Sequence, residues 1–169
     1  MCNRYNKKKT EVLIYMSHEQ EMIALKEKIA YYERIIKTIS TPIIPSIVPK
    51  TILIPIAGYM FRERFENIQT KTLQYIGDHK EIEQAVFDFT GVNVEDVEAF
   101  DYNELAMSIT NLNSSLRLMG IRPIYVGFNP RFIREIVHAS IQVDIETYKS
   151  FREALNKILV ESNQFIGIK

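Results

Sequence analysis

Apolar residues in the first part of the chain recur at spacings of three and four. Met22, Leu25, Ile29, Tyr32, Ile36 and Ile39 fall on one stripe, the a/d pattern of a helix that pairs with another helix. Ser17 stands before this stripe with Gln20 three residues on, a capping-box pattern that predicts a helix start. The flanking charges agree with pairing. In a parallel pair Glu21 at g faces Lys26 at e of the partner helix, and Lys28 at g faces Glu33 at e, so both contacts join opposite signs. Ser40-Thr41-Pro42 disfavours helix before the proline and predicts an end near Ile39. Residues 17–39 therefore suit a dimerising linker helix, or a face packed on the chain's own domain. Residues 1–16 show no clear periodicity and are expected to be a tail, with Met16 as an alternative start of translation.

Beyond the helix the period changes. Thr41 to Pro49 is punctuated by prolines, and Thr51–Ala57 is an Ile/Leu-rich run ending at Gly58, which predicts a strand. Arg62–Ile76 predicts a helix with Phe65, Ile68, Thr72, Leu73 and Ile76 on one face, closed by Gly77-Asp78. Ala85–Phe89 predicts a short strand, with Thr90-Gly91 opening a loop. The next helix ends at Met119-Gly120 and turns Leu105, Ala106, Ile109, Leu112 and Leu116 inward. Ile121–Val126 predicts a strand stopped by Gly127. Pro130 suits the first turn of a helix with Phe132, Ile133, Ile136 and Val137 packed inward. Ile141–Val143 predicts a last strand and Thr147–Leu159 a last helix, with a tail over 161–169. Alternating strands and helices predict an α/β fold over 40–160, a mostly parallel mixed sheet flanked by helices.

Composition narrows the function classes. The chain has 169 residues, enough for one domain and a helical extension. Lys+Arg and Asp+Glu are 21 each, and zero net charge gives no basic footprint for nucleic acid. The only cysteine is Cys2, which excludes an internal disulfide and fits a reducing cytoplasm. No apolar run reaches the roughly 18 residues of a membrane span, because Pro45, Pro49, Lys50 and Pro55 interrupt the richest stretch. Lys7, Lys8 and Lys9 precede only Val12–Tyr15, too short a run for a signal peptide.

Catalytic chemistry is not gathered anywhere. His18, His79 and His138 are far apart and lack helical ligand spacing, so no metal site is expected. Ser114-Ser115 sits in a helical run without a nucleophile elbow, and no glycine-rich phosphate loop is present. No cofactor and no enzyme activity are expected. Asp96, Glu98 and Asp101 form an acidic loop; it suits a solvated or docking surface, with a divalent-cation site as the sharper alternative. Thr90 suits a turn hydroxyl bonding its own backbone, or a phosphoacceptor. Arg131 and Arg134 suit a solvated face or an anionic partner.

Several segments taken together resemble a known family. Ser40-Thr41-Pro42-Ile43-Ile44-Pro45, Gly58 after a strand, Phe87-Asp88-Phe89-Thr90-Gly91-Val92, Arg117-Leu118-Met119-Gly120 and Gly127-Phe128-Asn129-Pro130 resemble the STAS domain of stressosome proteins of the RsbR and RsbS type. The resemblance spans roughly Ser40 to Leu159, and a helix directly before the first segment is also an R-type feature. It implies a regulatory scaffold, or an antagonist of an anti-sigma factor or switch kinase, that assembles with other STAS proteins. It also implies a docking loop from Thr90 through Asp96 and Asp101 to Tyr102. The family switch is phosphorylation of Ser or Thr in an Asp-Ser or Asp-Thr pair at the start of the helix after that loop. Counting from Asp88 places the pair at Asp96-Val97; counting back from Gly120 places it at Asp101-Tyr102. A second family acceptor, after the first strand, falls on Arg62. The expected function is a homodimeric, non-enzymatic interaction module without the usual acceptors. A shifted acceptor at Thr90 or Tyr102, or a nucleotide-binding STAS domain, are the alternatives.

Overall fold

Helix α1 (Cys2–Ile39) is continuous. It runs through Ser17, which is therefore an interior position and not a helix start. Residues 2–16 contain neither Pro nor Gly, so nothing in the sequence breaks the helix there. The computed structural model describes residues 2–93, 95–97, 101–131, 133–134 and 144–166. Within it the chain forms two compact units, Met1–Ile39 and Ser40–Lys169.

The second unit is built on a five-stranded sheet in the order β1-β2-β3-β4-β5. Strand β1 (Ile44–Pro45) is antiparallel to β2 (Thr51–Ala57), with Ile44 opposite Leu53. Strands β3 (Gln84–Gly91), β4 (Arg122–Val126) and β5 (Glu146–Tyr148) then follow in parallel register, Ile54 beside Phe87 and Phe87 beside Tyr125. The β2–β3 register shifts between Pro55 and Ala57, where a proline that cannot donate to a ladder is tolerated.

Helix α2 (Arg62–Asp78) buries Phe65, Ile68, Thr72 and Ile76. Helix α3 (Tyr102–Leu118) buries Leu105, Ala106, Ile109, Leu112 and Leu116. These meet Ile52, Ile54, Ile56, Phe87, Phe89 and Tyr125 in one apolar cluster, where full burial of a large side chain contributes about 1.5–3 kcal/mol. Helix α4 (Phe151–Ile166) packs Ala154 and Ile158 with Val48, Val86, Ile124 and Val126 in a second cluster.

Three expectations change at the C-terminal end. The last strand is Glu146–Tyr148, so Thr147 is extended and not helical. Helix α4 begins at Phe151, because the Ser150 hydroxyl accepts from Glu153 N (3.3 Å) and the Glu153 carboxylate accepts from Lys149 N (3.1 Å), a cap around Ser150. It continues to Ile166, through residues expected to be a tail. The expected strand Ile141–Val143 lies outside the described residues, as do Phe132, Ile136 and Val137, while Ile133 is exposed and not packed inward.

One polar cluster ties β4, β5 and α4 together. Arg122 Nε and Nη2 donate to the two Glu146 carboxylate oxygens at 2.7 and 2.6 Å, and Nη1 donates to Glu161 Oε2 at 2.5 Å. Tyr148 Oη donates to Glu146 at 2.8 Å. Burial acts to raise the Glu146 carboxyl, but hydrogen bonds from Arg122 and Tyr148 outweigh it and hold the group below its ordinary value. The Arg122 hydrogen bond, with help from Lys157, lowers Glu161 against a weaker opposing effect of burial. Both carboxyls thus bind protons more weakly in the folded than in the unfolded chain. Their stabilisation is complete above the unfolded value of about 4.3 and is lost as pH falls through the lower folded values. Thermal melts between about pH 6 and about pH 3 are expected to show a steep fall in Tm for the native chain. A shallower fall is expected for Arg122→Met, which loses both Arg122 ion pairs and keeps only that of Lys157 with Glu161. Equal slopes would mean that the cluster carries no acid sensitivity.

Candidate functional site

Three loops meet at the C-terminal ends of β2, β3 and β4. After β2, Gly58 N donates to Gly91 O at 2.9 Å, which clamps the ends of β2 and β3 together. The approach explains the glycine of the Asp-x-Thr-Gly segment: a Cβ on Gly91 would lie 2.6 Å from Ala57 Cβ, closer than packed carbons come. Gly127, after β4, has φ +73°, and a Cβ there would lie 2.2 Å from Thr90 Oγ1 and 2.6 Å from Thr90 N.

Thr90 is exposed at the end of β3. Its N–H and its hydroxyl both donate to Asp88 Oδ1, at 2.9 and 2.5 Å. The hydroxyl is thus engaged in a local turn, the role a threonine commonly takes there. Asp96 fixes the following loop: its carboxylate accepts from Asn93 N at 2.9 Å and Asn93 Nδ2 at 3.2 Å, and its carbonyl accepts from Met60 N at 2.7 Å. Glu98, the third member of the acidic loop, lies outside the described residues.

Val97 corrects an expectation. It is 1% exposed and belongs to the main apolar cluster, so it anchors the loop from below and presents nothing to a partner. Asp101 is the N-cap of α3, its carboxylate accepting from Asn103 N (2.8 Å) and Glu104 N (3.3 Å), which satisfies two of the helix's free donors. Tyr102 is the first residue of that helix and is half-buried. Of the two pairs that counting leaves open, Asp101-Tyr102 is therefore the one at a helix start, and Asp96-Val97 is in a turn.

Arg62 opens α2 and pairs with Glu104 on the first turn of α3. Two residues on, Arg64 Nη1 donates to Gly58 O (3.1 Å) and Tyr59 O (2.5 Å), holding the β2–α2 loop. Burial lowers its pKa, opposed by the charge of Asp96. Sequence reasoning missed both of these contacts, and it missed Tyr59 and Phe61, whose aromatic rings are exposed on the same loop. The adjacent prolines, glycines and charges gave no periodic signal for them. Beside the loops, Phe89 and Phe128 pack at 4.7 Å between ring centres and line a small crevice with Val92, Asn93, Val97 and Asn129.

The seam residues belong to the other unit. Met22, Leu25, Ile29, Tyr32, Ile36 and Ile39 are 50–68% exposed in the single chain. Among the described residues, no group of three or more His, Cys, Asp or Glu converges to hold a metal ion, and no helix is long and apolar enough to cross a membrane.

Solved structures share this architecture. A single-substitution variant of RsbS from Moorella thermoacetica superposes with a TM-score of 0.58 at 13% identity, covering 73% of this chain and 97% of that one. The domain has the STAS fold. A chain of the stressosome, described as a signal integration and transduction hub, matches at a TM-score of 0.50 and 13% identity, covering 72% of this chain and 98% of its own. A STAS fold is not tied to one role: murine Solute Carrier 26 family member A9, an anion transporter, matches at 0.52 and 13% identity over 68% of this chain but only 18% of its own. No protein-family profile and no curated protein sequence matches the chain.

Proposed function

We propose that this chain is a non-enzymatic regulatory interaction module of the stressosome type, held in one state because neither family acceptor position carries Ser or Thr. The observation that carries this is at the start of α3. Asp101 caps the helix and Tyr102 follows it, where the resemblance calls for a Ser or Thr hydroxyl beside that aspartate. A phenol stands several ångströms farther from the backbone than a seryl oxygen. Phosphoryl transfer depends on the acceptor lying in line with the leaving group, and even ~1 Å of misplacement costs orders of magnitude in rate. At the other position the Arg62 guanidinium pairs with Glu104; a cation can bind phosphate but cannot accept it.

The three loops form the docking face for a switch kinase or anti-sigma factor. Thr90 and the exposed rings of Tyr59 and Phe61 supply its contact surface, while Asp96, Val97 and Asp101 shape it from within. Other STAS proteins are the assembly partners. The exposed a/d stripe of α1, with its opposite g and e charges, makes the chain a parallel homodimer. Its compartment is the cytoplasm, and neither nucleic acid nor membrane is a partner.

Mixing the purified chain with R-type and S-type stressosome proteins from the same genome tests the assembly. Co-elution in one large particle on size exclusion is expected. Separate elution at every ratio would contradict the proposed role.

A further inference from the structure

The end of the sheet that carries the docking loops is electrically divided. The order β1-β2-β3-β4-β5 sets the loops after β2 and β3 beside those after β4 and β5. Acid gathers at the first pair. Glu63 follows β2, while Glu95, Asp96 and Asp101 follow β3; Glu63, Glu95 and Asp101 are exposed. Two arginines lie there too, but Arg62 pairs with Glu104 and Arg64 is held by the Gly58 and Tyr59 carbonyls. Base gathers at the second pair. Arg131 and Arg134 follow β4, Lys149 and Arg152 follow β5, and all four are exposed. The two basic loops start side by side, because Gly127 N donates to Tyr148 O at 3.4 Å. Among the described residues, none of these four cations forms an ion pair, and the nearby Glu153 carboxylate is taken up by the backbone N–H of Lys149.

This division selects the partner. Neighbouring strands lie about 4.8 Å apart, so the acidic and basic halves are centred roughly 10 Å apart. That is comparable with the Debye length of about 8 Å at physiological salt, so a partner large enough to cover one half feels the other. A nucleic acid or an anionic membrane would be drawn to the basic half and repelled by the acidic half beside it. A fitting surface is divided in the same way, and this chain, with 21 basic and 21 acidic residues, presents one. Residue types add a second match. Tyr59 and Phe61 are 71% and 45% exposed on the acidic half. Three of the four cations of the basic half are arginine, whose guanidinium stacks on aromatic faces. Tyr, Phe and Arg are also types enriched where proteins meet.

We infer that this face is self-complementary and that a second copy of the chain occupies it. The arrangement closes. A two-fold axis in the plane of contact, perpendicular to the line joining the two halves, sets each acidic half on the other copy's basic half, so both contacts form at once. The contact uses no residue of α1. It rests on the proposed docking role only for its consequence: a paired face is closed to a switch kinase, so pairing and docking compete. Its contacts are exposed charges and two rings, so it is weak and salt-dependent, formed at hundreds of micromolar and absent at tens.

Sedimentation equilibrium of the full chain carrying Ile29→Asp/Ile36→Asp tests it, because that variant removes the contribution of the α1 seam. At hundreds of micromolar in about 0.02 M salt, where screening is weak, the mass of two 19.7 kDa chains is expected. In about 0.5 M salt, where the charges are screened, the mass of one is expected. Adding Arg131→Glu/Arg152→Glu turns the basic half acidic, and adding Glu63→Lys/Glu95→Lys instead reverses the acidic half. Each is expected to be monomeric alone in low salt, and an equimolar mixture of the two is expected to pair. Circular dichroism checks that all stay folded. A monomer in low salt, a dimer that persists in high salt, a dimer that survives either charge reversal, or a mixture that stays monomeric overturns the inference. None of these results touches the docking role, which assembly with stressosome proteins tests separately.

Discussion

Replacing Gly127 by alanine is expected to lower the stability of the STAS domain by roughly 2–6 kcal/mol. Two costs add. A non-glycine residue at φ +73° is held in a sparsely populated region at a cost on the order of 1–3 kcal/mol. The new Cβ also meets Thr90 at Oγ1, N and Cα, at 2.2, 2.6 and 2.9 Å, an overpacking that typically costs another ~1–3 kcal/mol. Two of those three atoms are backbone, so adding Thr90→Ala relieves only the first contact and is expected to restore little. Gly77 is the control: it lies in α2 with nothing within 4 Å of an added Cβ. Gly77→Ala is expected to be neutral or stabilising by up to ~1 kcal/mol. Thermal melts read both, with a fall on the order of 10 °C or more for Gly127→Ala. A Tm within about 2 °C of the native chain would mean that the β4 turn moves freely and that its close approach to Thr90 is not a constraint.

The second large effect is on self-association. Ile29 and Ile36 are successive a positions of the α1 stripe, each more than half exposed in the single chain. Ile29→Asp with Ile36→Asp places four carboxylates in the seam of a parallel dimer, each desolvated and facing its own copy. Burying unpaired charges costs several kcal/mol per site, more than a short seam supplies. The variant is expected to be monomeric by light scattering at tens of micromolar with the STAS domain still folded. Two results count against the seam: a native chain that is monomeric at that concentration, or a variant that keeps the native mass.

The central elements were legible because their signals are local and strong. Strand β2 has the bounds that its Ile-rich run and Gly58 mark, and the inward faces of α2 and α3 follow from spacings of three and four. The C-terminal part was harder. Thr147 reads equally well as strand or helix, and the true start signal, Ser150 with Glu153, stands three residues later. Strand β1 has only two residues, one of them proline, so no periodicity exists to find it. Ser17 misled because a capping-box pattern also occurs inside helices, where the chain before it has no breaker. In the site, residue types identified the loop but not the direction of its side chains. Asp96 and Asp101 look alike as acidic loop residues, yet each is bound to nearby backbone N–H groups. Val97 turns into the core because Asp96 is tied to Met60 beside it. The Arg62–Glu104 pair joins residues 42 positions apart, and no pattern along a single chain discloses such a contact.

Phosphotransfer tests the central claim most directly, read as intact mass after incubation with a stressosome switch kinase and Mg-ATP. The native chain is expected to keep its mass. Tyr102→Ser, which places a seryl hydroxyl directly after the Asp101 cap, is expected to gain one phosphate at residue 102 and so shows that the kinase is active and docks. One phosphate on the native chain, mapped to Tyr102 or Thr90, would contradict the account, because the chain would then be a working switch.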